Sequence, residues 1–568
     1  MTINGNDISK YTVYYGADAS DKAKTGVAEL VKYIELATGI TLPTSTAKAG
    51  EYGIIVDETV VKVDGAFSND DNFSIKSEGN SIRIKGSAER GVIYGCYDFL
   101  EQLVGWFFLT KNDDYIEPVD SVDISGVDYT ESPGFAMRDN YGNIPNDKFR
   151  DYAWSTANGI HTFAALAPDY CQQYENQPCL LDEAVYEQMR TNLLKKIAEK
   201  PNSTLASVSM NDNTNWCTCE KCTAAFAAPG GKSEYVIKFV NRLADEVAKQ
   251  YPNILIHTFA YADAVDAPIT KPRDNVIVQF CPIQACIAHP LNDSCNKSSI
   301  AENIGTYIEN WAKLDCKLYL WTYHGNFTNC PVPHTDISYK TMSENAKFYA
   351  ECGAIGWFAQ TNTAKAEELG DFGALRHYLI SKFMWDPYIT EEEFNNLVIT
   401  FMKGTYGAGW EKIYEVYNTY IEKDTGHHML FASVEDRRIV FTHKIDTEHL
   451  VDLFDEAELF AESELMWKNI DRNQLSFNMM EVFTKFDKMY KDDYDKSQLM
   501  AKWFQDKMLT YKVSYGSEHA MFVCLEIGQF DVNPGRWRQD LDDGYVRKFA
   551  DVTVDYPAEP TELLPFAR

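Results

Sequence analysis

Apolar and polar positions along the chain fall into three regimes. Over residues 1–125 short apolar runs exchange with amphipathic stretches. Tyr11–Tyr15 and Tyr52–Val56 read as strands, and Lys22–Ala37 as a helix that ends before Gly39. Phe73–Lys76 and Ser81–Lys85 flank Gly79-Asn80, a hairpin signal. Gly91–Leu103 reads as a further helix, and Trp106–Leu109 leads out into acidic linker sequence. These segments predict a small, self-contained α/β domain over 1–125.

From Pro133 to about Asp386 near-continuous apolar runs alternate with amphipathic helices. The runs are Phe135–Arg138, Gly159–Phe163, Pro178–Leu181, Thr204–Met210, Ile254–Ala260, Val276–Phe280, Lys317–Trp321 and Ala354–Ala359. Between them, Glu187–Ile197 repeats Met189, Leu193 and Ile197, and Tyr235–Val247 gathers Val236, Phe239, Val240, Leu243 and Val247 on one face. Buried strands alternating with helices imply a parallel sheet covered on both faces. Eight such units over 133–386 predict a (β/α)₈ TIM barrel. Beyond Trp385-Asp386-Pro387 the pattern turns helical over 387–515, at Glu391–Met402, Trp410–Ile421, Glu448–Glu464 and Phe483–Lys507. The tail, 516–568, is mixed.

At 568 residues the chain is too long for one core, and roughly three or four domains is the expectation. The net charge of −31 repels nucleic acid and anionic membranes, so neither is expected as a partner. No run of about 18 apolar residues appears that would span a membrane. Met1–Asp7 lacks the basic and apolar regions of a signal peptide. That predicts a cytoplasmic protein, or an extracellular or cell-surface one whose leader has been removed.

In a barrel of this kind chemistry sits where the strands end. Strand one ends in Arg138-Asp139-Asn140, strand two carries His161, and strand four ends in Asn211-Asp212-Asn213. Strand five ends at Tyr261 with Asp263 beyond it. Strand six is followed by His289, strand seven gives Tyr323-His324, and strand eight gives Gln360. Hydrogen-bonding groups beside aromatics suit a sugar, its hydroxyls bonded at the edge and its apolar face stacked. Glycoside hydrolysis wants two carboxyl groups, or one with help from the substrate. Asp212 is the leading candidate, because a long apolar run turns polar there; an N-cap or Asx-turn is the structural alternative. For the second carboxylate Glu220, Asp139 and Asp263 stand level. Arg138, Asn140, His161, Asn211, Tyr261, His289, Tyr323, His324 and Gln360 are candidate substrate-binding residues. For Arg138, pairing with barrel acids is the favoured alternative.

The stretch Cys217-Thr-Cys-Glu-Lys-Cys222 places three thiols on one short loop. Cys217, Cys219 and Cys222 can fill three corners of a structural zinc site, with Cys171, Cys179 or Cys281 as the fourth. With no second CxxC or HxxxH, spacing alone weighs towards disulfides or plain buried thiols. The odd total of 13 cysteines argues against a fully paired disulfide framework. The catalytic chemistry itself calls for no cofactor.

Ser209-Met-Asn-Asp-Asn-Thr-Asn-Trp-Cys-Thr-Cys-Glu-Lys-Cys222 resembles the hallmark of the bacterial family called domain of unknown function 4838. So do Phe280-Cys-Pro-Ile, His289-Pro-Leu, Leu320-Trp-Thr-Tyr323, and Leu375-Arg-His-Tyr378 followed by Trp385-Asp-Pro387. The resemblance covers about residues 1–430. That family includes glycoside hydrolase family 163, which implies an endo-β-N-acetylglucosaminidase acting on complex N-glycans, with a glycan or glycoprotein as substrate. The N-terminal segment is similar to the small α/β domain of family 20 hexosaminidases and family 67 α-glucuronidases. Relatives often carry Asp at the position of Thr322 and can carry Glu near Gln360, so the resemblance leaves one carboxylate unaccounted for. It implies a retaining β-glycosidase in which Asp212 is the general acid or orients a substrate acetamido group. An exo-hexosaminidase, a glycuronidase and a non-catalytic glycan-binding protein are the rival readings.

Overall fold

A computed structural model describes residues 1–110, 113–116, 121–140, 146–171, 176–297, 303–324, 338–360, 372–422 and 446–511. One compact unit takes residues 1–323 with 341–360 and 380–390, and a second takes the described parts of 324–340, 361–379 and 391 onward.

The N-terminal residues begin with β1 (Thr2–Ile3), β2 (Asn6–Asp7), β3 (Thr12–Tyr14) and α1 (Asp21–Thr38). Ser20 caps α1 by accepting from the Ala23 N–H, and Gly39, left-handed at φ 72°, closes it on the Glu35 carbonyl. Its apolar face of Val27, Leu30, Tyr33 and Ile34 is buried. Next come β4 (Thr44–Ser45), β5 (Gly53–Asp57), β6 (Phe73–Glu78), β7 (Ser81–Gly86) and α2 (Gly91–Asp98). The expected hairpin is β6–β7, turning at Gly79 with φ 61°. The expected helix Gly91–Leu103 is shorter: after Asp98 a π-helical turn, Phe99–Val104, carries the chain to left-handed Gly105. β8 (Trp106–Phe108) pairs with β9 (Asp114–Ile116). β10 (Asp123–Ile124) pairs with β1, and β11 (Asp128–Glu131) completes a six-stranded mixed sheet ordered β11-β6-β7-β5-β3-β4.

The sheet that carries the candidate site is parallel and six-stranded. Its strands are β12 (Met137–Asn140), β13 (Leu205–Ser207), β14 (Leu255–Tyr261), β15 (Val276–Cys281), β16 (Lys317–Tyr323) and β17 (Ala354–Gln360). They are ordered β12-β17-β16-β15-β14-β13. Both edges bridge to one segment: Tyr152 exchanges backbone hydrogen bonds with Arg138, and Thr156 bridges to Leu205. The sheet therefore curls, and Met137, Trp154, Leu205, Ile277 and Tyr319 pack together inside it. Gly356 belongs to that packing, since an added Cβ would lie 2.9 Å from the Met137 Cβ. Helices α3 (Phe163–Leu166), α4 (Glu183–Glu199), α5 (Glu220–Ala227), α6 (Gly231–Ala248), α7 (Ile304–Ala312) and α8 (Tyr339–Glu351) intervene between these strands, and α9 (Gly373–Trp385) follows β17.

Two of the eight expected barrel strands are not strands. In Gly159–Phe163 both Gly159 (φ 70°) and His161 (φ 51°) are left-handed, which no extended strand tolerates. The Thr162 and Phe163 N–H groups both go to the Ser209 carbonyl. In Pro178–Leu181, Pro178 has no N–H, the Leu180 N–H goes to the Tyr235 hydroxyl, and Cys179 closes a turn onto Asp182. The expected eight-stranded barrel is thus a curled six-stranded parallel sheet with covering helices.

The second unit is helical, with Glu391–Tyr406, Trp410–Val416 running into a π-helical turn Tyr417–Ile421, Thr447–Glu458, Glu464–Asp492 and Tyr494–Thr510. Phe477 gathers Tyr420 and Phe454 at ring distances of 5.3 and 5.1 Å. The helix expected over Glu448–Glu464 ends at Glu458, and the one expected over Phe483–Lys507 is split at Asp493. The mixed tail 516–568 lies outside the described residues. Among the described residues no helix is long and apolar enough to cross a membrane.

Candidate functional site

The chain beyond β13 stays buried through Asn211 and breaks into solvent at Asp212. Asn211 is spent on holding that break. Its side chain accepts from the Ala164 N–H at 3.0 Å and donates to the Asn176 carbonyl at 2.9 Å. Gln177, which the sequence did not single out, completes the clasp. Its Nε2 donates to the Asn211 and Asn213 carbonyls, each at 2.8 Å, while its Oε1 accepts from the Asn211 N–H at 3.0 Å. Asp212 is therefore presented by a backbone bonded on both sides. Asn211, expected to meet substrate, is instead part of this frame.

The Tyr261 hydroxyl, at the end of β14, donates to Asp212 Oδ1 at 2.9 Å. Around that pair runs a wall of rings. His161 lies 5.0 Å from Phe259 and 6.1 Å from Tyr261, Phe259 lies 5.9 Å from Trp321, and Trp321 stacks with Tyr323 at 6.3 Å. The Trp321 indole N–H donates to Gln360 Oε1 at 2.6 Å. His161 is held in its left-handed conformation with Nδ1 2.8 Å from the Met210 carbonyl oxygen. Since a carbonyl only accepts, the proton is on Nδ1 and Nε2 is left for other partners. A strained non-glycine backbone kept beside a carboxylate fits a functional position.

Beneath this wall the interior is polar. His257 joins the Ser207 hydroxyl at 2.8 Å to Gln279 Oε1 at 3.0 Å, and burial pushes it down to about 3, so it stays neutral. Burial lifts the Cys281 thiol and the Tyr319 phenol far above their ordinary values. Asp212 raises Cys281 further, and Cys281 and Asp139 both raise Tyr319, so these four groups share one field.

The three candidates for a second carboxylate separate in the structure. Asp139, on the Met137 face of β12, is raised to about 6 by burial and by neighbouring Asp151. Asp263 is committed: its oxygens accept from the Trp216 indole at 3.0 and 3.2 Å and pair with the Lys232 ammonium. Glu220 is the exposed first residue of α5, on a helix start rather than in the ring-lined cluster. Neither is offered to a substrate as expected; Asp263 holds Trp216, and Glu220 complements a helix dipole.

Two expected substrate contacts, Arg138 and Asn140, turn away from the Asp139 face of β12, and two more have other surroundings. Arg138 points out of the curled sheet, where Nη1 donates to Asp71 at 3.3 Å and to the Phe135 carbonyl at 2.7 Å, and Nε donates to the Arg150 carbonyl at 2.7 Å. Asp71 also pairs with Arg90. Arg150 meets Asp98 at 2.7 Å and Glu101 at 3.3 Å, and Lys382 reaches Glu101 at 2.6 Å. Arg138 is thus one member of a buried ionic layer between the two sheets. Asn140 is buried and shares the Arg138 face of its strand, not the Asp139 face. His289 lies with its Nδ1 3.3 Å from Cys286 Sγ. His324 belongs to the second unit, where burial, aided by Arg376, pushes it down to about 3.

The cysteines form two groups. The sulfurs of Cys179, Cys217, Cys219 and Cys222 all lie within 4.8 Å of one another, and so do the ligand atoms of Cys286, His289 and Cys295. Cys179, Cys217, Cys219 and Cys222 are not joined by disulfides.

The family model described as domain of unknown function (DUF4838) matches residues 109–417. The chain belongs to this family. The matched part of this DUF4838 protein includes every residue of the ring-lined cluster. No curated protein matches it in sequence. Among solved structures, a family 115 4-O-methyl-α-glucuronidase with specificity for decorated arabinogalactans is similar with a TM-score of 0.53 at 9% identity, over 89% of this chain and 77% of that one. A family 89 glycoside hydrolase from Clostridium perfringens is similar with a TM-score of 0.51 at 9% identity, over 86% of this chain and 65% of that one. A family 20 β-N-acetylhexosaminidase from Streptomyces coelicolor matches more loosely, with a TM-score of 0.40 at 12% identity over 70% and 91%. The first two show that the DUF4838 protein shares a fold with glycoside hydrolases.

Proposed function

We propose that this protein is a retaining glycoside hydrolase that cleaves a β-N-acetylglucosaminide linkage within complex N-glycans, using the substrate's own acetamido oxygen as nucleophile. The observation that carries the reading is the Tyr261–Asp212 hydrogen bond inside a wall of aromatic rings. An acetamido group needs an acceptor for its N–H if its carbonyl oxygen is to be aimed at the anomeric carbon. Tyr261 fixes one oxygen of Asp212 and leaves the other to take that N–H. His161, Tyr261, Trp321 and Tyr323 offer the flat apolar surfaces on which a pyranose ring stacks.

The carbonyl oxygen attacks the anomeric carbon, the glycosidic bond breaks, and the leaving oxygen takes a proton from an acid. Asp139 suits that duty, because burial and Asp151 raise its carboxyl to about 6, so that it keeps its proton into mildly acidic solution. Water then opens the cyclised intermediate and returns the proton to Asp139. The glycuronidase alternative asks for a cation facing the substrate carboxylate, and Arg138 is engaged with Asp71 instead.

The test is product analysis by mass spectrometry on a defined complex N-glycan. Release of an oligosaccharide, with one N-acetylglucosamine left on the acceptor, supports the reading. Release of only free monosaccharide makes the enzyme exo-acting, uronic acid makes it a glycuronidase, and binding with no product removes catalysis altogether.

A further inference from the structure

Cys217 and Cys219 end the loop that begins at Asp212, and Cys219 is the N-cap of α5. Cys222 lies in the first turn of that helix, buried, with Sγ 3.2 Å from the Tyr235 hydroxyl. The same hydroxyl accepts from the Leu180 N–H at 2.6 Å. That bond seats Cys179, so that its sulfur is 3.4 Å from Cys222 Sγ. Four sulfurs mutually within 4.8 Å are arranged as a cluster, not as two pairs. A tetrahedral zinc with Zn–S bonds of about 2.3 Å has S···S edges of roughly 3.8 Å. A disulfide would need one separation of about 2.05 Å.

We infer that Cys179, Cys217, Cys219 and Cys222 bind one structural zinc ion, which clamps the Asp212-bearing loop onto the segment 176–180. Four protein ligands close the coordination shell, so the ion is structural and takes no part in chemistry. The thiols lose their protons to solvent as zinc binds, and no electron is transferred. The clamp lies at the far end of the same loop that Gln177 grips through Asn211 and Asn213. Residues 176–180 and 211–222 are thereby tied twice, once by hydrogen bonds and once by metal. The inference is independent of the reaction proposed above.

Cys219 gives the test its edge, because it is exposed. A free thiol in that position alkylates readily, whereas a zinc-bound one does not. The wild-type chain, purified under reducing conditions, is treated with iodoacetamide with and without a strong zinc chelator, and each cysteine is read by peptide mass spectrometry. Expected are about one zinc per chain at this cluster, protection of Cys219 until the chelator is added, and joint exposure of Cys217 and Cys179 afterwards. Replacing zinc with cobalt should give the strong thiolate-to-metal absorption of four sulfur ligands. Cys286→Ser should leave that absorption in place, and Cys179→Ser should weaken it. Equal alkylation of Cys219 with and without chelator overturns the site. So does recovery of these four residues in disulfide-linked peptides from unreduced protein.

Discussion

Gln177 closes a reciprocal pair with the backbone of Asn211: its Nε2 donates to the carbonyl at 2.8 Å and its Oε1 accepts the N–H at 3.0 Å. Through this pair a buried side chain determines where Asp212 stands. Gln177→Ala leaves buried backbone groups unpaired, at about 1–3 kcal/mol. We expect kcat to fall roughly 10- to 100-fold through misplacement of the carboxylate, with faster hydrogen exchange over 211–216. Unchanged kcat in a variant of lowered stability would make Gln177 merely structural.

Asp212 and Tyr261 should separate in magnitude. Asp212→Asn is expected to lower kcat by about two to three powers of ten, the scale for losing one preorganised partner of the developing charge. Tyr261→Phe removes only the hydrogen bond that orients the carboxylate, worth about 1.5–3 kcal/mol, or roughly 10- to 100-fold. A thiazoline mimic of the cyclised intermediate should bind the wild type much more tightly than the free sugar does, and Asp212→Asn should erase that advantage. Trapping of a covalent adduct by a 2-fluoro sugar would instead point to an enzyme nucleophile.

The raised titration of Asp139 has consequences in both activity and stability. As an acid it must be protonated, so the rate should decline as pH rises through about 6. Asp139→Asn should remove that limb and most of the activity. For stability, the folded carboxyl holds its proton more tightly than an ordinary one of 3.8. Its favourable contribution is complete below that value and is lost as pH climbs through about 6. Above pH 6 the Asn variant should therefore be the more stable protein, by up to about 3 kcal/mol. Denaturant titrations at pH 4 and pH 8 check the sign.

The buried layer around Arg138 predicts a stability defect without a substrate-specific one. Asp71→Ala leaves Arg138 and Arg90 without their shared carboxylate, which should cost about 3–5 kcal/mol. At temperatures where the variant stays folded, KM should match the wild type. A selective rise in KM would return Arg138 to the substrate site.

Features that repeat along the chain can be read from it directly. The pattern of apolar residues locates α1, α4, α6 and the six strands of the curled sheet, because burial acts on each segment separately, on one face of a helix and on both faces of a covered strand. The abrupt polar turn at Asp212 and the thiol spacing of Cys217–Cys222 are legible for the same reason. The remainder depends on long-range contacts. Gly159–Phe163 and Pro178–Leu181 are apolar enough for strands, but their N–H groups are claimed by Ser209 and Tyr235. Arg138 and Asp263 carry catalytic-looking charges, but Asp71 lies 67 residues from the first and Trp216 lies 47 from the second. Cys179 meets Cys222 across 43 residues, and Gln177 reaches Asn211 across 34. Such contacts leave no period in the chain, since each depends on where the fold brings a single partner.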